Sequence, residues 1–165
     1  MIKKKICLLG AFAVGKTSLV KQFVHSIFSE KYQTSVGVKV DKKELKVKDQ
    51  DVTLLIWDIQ GEDEIQKINS SYLRGAAGFL LVIDGTRRDT LKTAQDLVQR
   101  MRDLIGDLPF LVLLNKSDLS DQWELDPNDD EQLIKNTWSF TKTSAKTGSG
   151  VDDAFYQLAE MMLAT

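Results

Sequence analysis

The eight residues Gly10-Ala11-Phe12-Ala13-Val14-Gly15-Lys16-Thr17 restrict this chain more than any other stretch. They follow an apolar, strand-like run, Ile6 to Leu9, and lead into helical spacing from Ser18 to Val24. A glycine, four residues and then Gly-Lys-Thr, set between strand and helix, is the pattern of a loop that wraps phosphate. Small residues let backbone N–H groups close around a β-phosphate, and the following helix presents its positive end. The phosphate-binding candidates are therefore Gly10, Ala13, Val14, Gly15, Lys16, Thr17 and Ser18, with Lys16 reaching β and γ oxygens and the Thr17 hydroxyl facing Mg²⁺. The plainer alternative is a glycine turn beside a surface lysine.

Further buried strands are expected at Val52 to Trp57, Phe79 to Asp84 and Phe110 to Asn115, with shorter ones within Val36 to Val47 and Thr137 to Thr141. Leu91, Ala94, Leu97, Val98, Met101 and Leu104 recur at helix spacing, as do Val151, Phe155, Leu158 and Met162. Strands alternating with helices predict a doubly wound α/β fold with a mostly parallel sheet. One connection departs from this rule, because two strand-like segments meet across Lys48-Asp49-Gln50-Asp51 with no helix between them. That predicts an antiparallel hairpin at the sheet edge, where Lys42, Lys43, Glu44, Lys46 and Lys48 suit an exposed strand. The Asp-rich stretch Ser120 to Asn128 has no clear pattern and leads into a helix expected near Asp129 to Lys135.

Composition narrows the function classes. The 165 residues are 42% hydrophobic and 28% charged, as expected of one globular domain over residues 1–165. A formal charge of −2 gives no bulk attraction to nucleic acid, so no nucleic-acid partner is expected. Cys7 is the single cysteine, which suits a reducing, cytoplasmic setting. The start, MIKKKICLLG, lacks the form of a secretory signal, and Met161 to Thr165 offer no cysteine for a prenyl group. No intrinsic membrane anchor is expected.

A second motif, Asn115-Lys116-Ser117-Asp118, ends an apolar strand and addresses the base. A carboxylate at Asp118 can accept from both N1–H and the exocyclic amine of guanine, a donor pair adenine lacks. Thr143-Ser144-Ala145-Lys146 follows the last expected strand, where the Ala145 N–H can meet guanine O6. In Trp57-Asp58-Ile59-Gln60-Gly61, Asp58 is placed to hold Mg²⁺ through water and Gly61 to bring its N–H to the γ-phosphate. An acidic helix cap is the alternative role of Asp58.

In this order and at these intervals the motifs resemble the Ras superfamily of small GTPases, and most its Rab branch. The resemblance spans essentially the whole chain and includes Ser35-Val36-Gly37-Val38, Tyr72-Leu73-Arg74-Gly75-Ala76 and Thr143-Ser144-Ala145-Lys146-Thr147-Gly148. It implies a six-stranded sheet with one antiparallel edge strand, a GTP/GDP switch with Mg²⁺, and effector, exchange-factor and activating proteins that meet the switch loops. It also implies that Phe28 packs against guanine, Tyr32 covers the phosphates and Asn115, Lys116, Asp118, Ser144, Ala145 and Lys146 hold the nucleoside.

The chain departs from the family in four places. Ser35 replaces the threonine that senses γ-phosphate and Mg²⁺; the hydroxyl remains, and the adjacent Thr34 offers another. Glu62 replaces the water-orienting glutamine, so the implied catalytic set becomes Lys16, Gly61 and Glu62. An ionised carboxylate only accepts hydrogen bonds, and a like charge ~5 Å away costs roughly 3 kcal/mol at an effective dielectric of 20. Slow hydrolysis follows, unless Glu62 acts as a base, donates when protonated or points to solvent. Phe12 is bulky where the family is small, which predicts altered activation or a ring packed against a switch. Val40 replaces the third partner-facing aromatic beside Trp57 and Tyr72. Two rivals stay open: a nucleotide-holding module of the same fold without turnover, and an ATP-dependent phosphate-loop enzyme, which Asp118 disfavours.

Overall fold

The computed structural model describes residues 2–26, 38–59 and 70–165. Six strands form one sheet: β1 (Ile2–Gly10), β2 (Val38–Val47), β3 (Gln50–Ile59), β4 (Ala76–Asp84), β5 (Phe110–Asn115) and β6 (Phe140–Lys142). The helices are α1 (Lys16–His25), the single turn α2 (Ser70–Leu73), α3 (Asp89–Ile105), α4 (Pro127–Lys135) and α5 (Val151–Leu163). The strand order is β2-β3-β1-β4-β5-β6, parallel throughout except for β2 against β3. The expected α/β sheet with one antiparallel edge strand is therefore present. Its hairpin is tighter than the four residues expected: Lys48 and Asp49, at φ 48° and 68°, make the turn, and Gln50 already pairs with Val47. Positive φ at both central residues matches the right-handed twist of the flanking strands.

Alternation along β1 divides the core. Ile6 and Leu8 face one side with Phe23 of α1 and Phe155 of α5, whose rings stack at 4.0 Å. Cys7 and Leu9 face the other with Leu91, Ala94, Leu97, Val98 and Met101 of α3 and Leu133 of α4. Both expected helical stripes thus face the sheet. Two boundaries differ from expectation. α4 starts at Pro127, since the Asp126 carboxylate accepts from the N–H groups of Asn128 and Asp129 while the Asp129 carboxylate accepts from the Asp126 N–H. This reciprocal cap with proline at the first helical position is a strong start. β6 begins at Phe140, not Thr137. Thr137, at φ 60°, closes α4, and the N–H groups of Thr137 and Trp138 donate to the Ile134 and Leu133 carbonyls.

Among the described residues no helix is long and apolar enough to cross a membrane.

Candidate functional site

The strand order reverses between β1, which has β3 on one side, and β4 and β5 on the other, and ligand crevices of such sheets lie outside the strands' carboxyl ends. The sequence candidates gather there. Gly10 ends β1 opposite Val82, Asp58 lies near the end of β3 opposite Leu8, and Asp84 and Asn115 end β4 and β5 as partners. A cleft of about 390 Å³ at this edge is lined by Ala13, Gly15, Ser18, Asn115, Lys116, Asp118, Leu119, Ala145 and Lys146. The phosphate-loop motif, the Asn-Lys-x-Asp motif and the last tetrapeptide thus share one cavity.

The loop's carbonyls explain its shape. Lys16 Nζ donates to the Gly10 and Ala11 carbonyls at 2.9 and 3.2 Å. Arg87 Nη2 donates to Phe12 O at 2.6 Å, Lys116 Nζ to Ala13 O at 3.0 Å and Asn115 Nδ2 to Val14 O at 3.0 Å. In a trans peptide the next N–H points opposite to the carbonyl. The last three bonds therefore turn the N–H groups of Ala13, Val14 and Gly15 away from these donors, as an anion-binding loop needs. Gly15 has φ 106°, and a Cβ there would collide with Asn115 Nδ2, so this position requires glycine.

Asn115 is 1% exposed and also accepts from Thr143 Oγ1 at 3.0 Å, which ties β5 to the start of the last motif. Lys116 adopts φ 68°, a left-handed conformation that costs a side-chain-bearing residue about 1–2 kcal/mol. The Ser117 N–H bonds Thr143 O at 3.0 Å, and Asp118 Oδ1 accepts from Ser144 Oγ at 2.8 Å. Gln22 Nε2 donates to Ala145 O at 2.9 Å, fixing the last motif against α1.

On the β3 side, Thr17 Oγ1 donates to Asp58 Oδ2 at 2.6 Å, with both residues buried. Burial raises the Asp58 carboxyl above its ordinary range, against the Thr17 hydrogen bond and the Lys16 charge, which lower it. A cation here would favour the ionised form. Among the described residues no three His, Cys, Asp or Glu side chains cluster. Two hard oxygens from Thr17 and Asp58 thus fit a cation that draws its other ligands from phosphate and water, as Mg²⁺ commonly does.

Phe28, Tyr32, Thr34, Ser35, Gln60, Gly61 and Glu62 lie outside the described residues. Phe12 is described, with its residue 44% exposed. Val40 is opposite Trp57 across the β2–β3 ladder and is also exposed, while Trp57 and Tyr72 both pack against the second core cluster. Lys5 Nζ lies 3.6 Å above the Trp57 ring.

The motif reading passed over Asp84, Arg87 and Gln22. Asp84 had a signal: it is an acid closing an apolar strand, and such a buried charge demands partners. Here Lys116 Nζ lies at 2.8 Å, Arg87 Nε at 3.1 Å, and Thr86 donates through N–H and Oγ1 at 2.9 and 2.6 Å. Burial raises this carboxyl, but the Lys116 and Thr86 hydrogen bonds and the Lys116 charge outweigh it and hold Asp84 below the ordinary carboxylate range.

Comparison with protein-family models matches residues 5–164 to the Ras family. The chain is similar to the Ras-related protein Rab-2B of Dictyostelium discoideum, with 31% identity over 161 residues, covering 96% of this chain and 80% of that protein. It is also similar to the Ras-related protein Rab-10 of Caenorhabditis elegans, with 33% identity over 165 residues, covering 97% of this chain and 81% of that protein. With matching motifs at one sheet edge and a family match over nearly its whole length, this chain belongs to the Ras family of GTP-binding molecular switches and is Rab-like.

Proposed function

We propose that residues 1–165 form one domain that holds GTP or GDP with Mg²⁺ in this cleft, hydrolyses GTP slowly and signals by reordering Tyr32 to Val38 and Gln60 to Leu73. The observation that carries the reading is the direct bonding of the base motif to the phosphate loop, Asn115 to Val14 and Lys116 to Ala13. It sets the groups suited to guanine beside those suited to phosphate. Backbone N–H groups from Gly10 to Ser18 hold the phosphates, Lys16 moves from its loop carbonyls to β and γ oxygens, and Asp118 takes the guanine donors. Ser144, Ala145 and Lys146 close the base side, and Phe28 packs on the ring.

Thr17, Ser35 and Asp58 are the residues that would hold Mg²⁺, which when bound neutralises phosphate charge. In hydrolysis, Lys16 and the Gly61 N–H stabilise the transferring group, while Glu62 cannot donate to it and opposes its charge. Glu62→Gln is therefore expected to raise the single-turnover rate roughly tenfold, equivalent to ~1.4 kcal/mol of barrier. A strong fall in rate with unchanged GTP affinity would make Glu62 a base or proton donor and end this account of hydrolysis. The non-hydrolysing reading has one observation in its favour, the bulky, half-exposed Phe12 in the phosphate loop. Release of no phosphate in a single turnover would establish it.

Effectors, exchange factors and activating proteins are expected at the switch segments and the Trp57–Tyr72 face. A GDP-bound or GTP-bound protein on purification supports the site; a bound adenine nucleotide would overturn it.

A further inference from the structure

Arg87 belongs to none of the nucleotide motifs, yet its guanidinium joins the phosphate loop to the end of β4. Nη2 donates to Phe12 O at 2.6 Å and Nε to Asp84 Oδ2 at 3.1 Å. The same carboxylate oxygen accepts from Lys116 Nζ at 2.8 Å, and that ammonium donates to the next loop carbonyl, Ala13 O, at 3.0 Å. The other oxygen, Oδ1, takes both Thr86 donors. Asp84 is 1% exposed, so two cations meet on one buried anion and each reaches a successive loop carbonyl.

Without the carboxylate the two cations would repel each other at this distance; with it, both can converge on the loop. Arg87 suits the outer position because its planar fork directs donors at two acceptors at once, whereas an ammonium is a compact point charge. Phe12 and Ala13 are the residues whose carbonyls must point away from the cleft if the following N–H groups are to face an anion. A loop already held in that arrangement loses less conformational freedom on binding.

We propose that Asp84 and Arg87 are positioning residues for the bound nucleotide: together with Lys116 they lock the Phe12 and Ala13 carbonyls and so set how slowly the diphosphate leaves the loop. The proposal rests on the reading of the cleft as a guanine-nucleotide site. It also separates two neighbouring arginines. Arg88 donates to Glu124 O at 2.6 Å and to the Asp126 and Asp129 carboxylates at 3.3 and 2.9 Å, so these bonds go to the segment before α4 and its cap. Arg87 serves the loop, and Arg88 serves the fold.

The test is release of a fluorescent GDP analogue from the Mg²⁺-loaded full chain, with thermal unfolding followed in parallel. Arg87→Ala and Asp84→Asn should each speed release on the order of tenfold, and the double variant should add little to either, as for residues acting in one network. Arg87→Lys should recover most of the loss. The preference for GDP over inosine diphosphate, set on the base side, should stay at the wild-type value. Arg88→Ala should lower the unfolding midpoint yet leave release within about twofold. Arg87→Gln, which keeps much of the stem, replaces Arg87→Ala if the latter does not fold. Release within twofold of wild type in Arg87→Ala overturns the proposal, and so does an effect equal to that of Arg88→Ala. A wild-type chain that retains no GDP removes the site reading itself, and with it this proposal.

Discussion

On the phosphate-loop side of the cleft, every carbonyl from Gly10 to Val14 accepts a hydrogen bond from a side chain, while on the base side Asp118 is held through one oxygen by Ser144. The bonds to Phe12, Ala13 and Val14 fix the backbone, so that only Lys16 has to turn from its carbonyls when an anion arrives. The second leaves carboxylate oxygen capacity for a ligand. An ionised carboxylate has about four acceptor sites, and one hydroxyl leaves enough for two guanine donors. In the proposed nucleotide site, this contrast would give affinity to the loop and discrimination to Asp118.

The most damaging single change to this arrangement is Asn115→Ala, because the residue serves both sides. It would leave Val14 O and Thr143 Oγ1 without their partner, each a loss of about 1–3 kcal/mol when buried. GDP affinity is expected to fall roughly thousandfold, equivalent to ~4 kcal/mol, by competition titration. Asp118→Asn should cost roughly hundredfold for GDP, or ~2.7 kcal/mol, while improving xanthosine diphosphate, whose base presents an acceptor where guanine donates. If both nucleotides weaken equally, Asp118 is structural and the division between the two sides fails. Ser144→Ala removes the donor to Asp118 and the acceptor for the Thr147 N–H, and about 1 kcal/mol, a roughly fivefold loss of GDP affinity, is expected.

The loop side also has a pH signature. Asp84 is depressed in the folded chain, so its ion pairs contribute stability that is complete above the ordinary carboxylate value of 3.8 and is lost as pH falls through the folded value. In acid unfolding, the stability difference between wild type and Asp84→Asn should shrink as pH falls below 3.8. A constant difference across that range would mean that the variant acts through packing.

Local patterns made much of this legible. The phosphate loop, the Asn-Lys-x-Asp stretch and the two helical stripes are each read from neighbours in sequence, and the structure places them as strand end, loop and helix face. What escaped was either a competing local rule or a distant contact. The strand expected from Thr137 lost its first residues to the closing turn of α4, because with Thr137 left-handed its own N–H and that of Trp138 satisfy the Ile134 and Leu133 carbonyls. The start of α4 was written in Asp126-Pro127-Asn128-Asp129, whose acid, proline and second acid at cap spacing outweigh its loop-like composition. Arg87 could not be read at all: its partner Phe12 O lies 75 residues away, and only the sheet brings them together.

Competition between GDP and ADP for the Mg²⁺-loaded wild-type chain, read as displacement of a fluorescent guanine nucleotide, tests the central claim most directly. Both ligands carry the same diphosphate, so the loop side treats them alike and any difference arises at the base. Leaving buried acceptors unpaired and meeting the wrong edge of adenine should cost at least ~4 kcal/mol, so ADP is expected to compete a thousandfold or more less well than GDP. Equal competition by ADP would contradict the assignment of Asp118 as the guanine reader and, with it, the reading of this cleft as a guanine-nucleotide site.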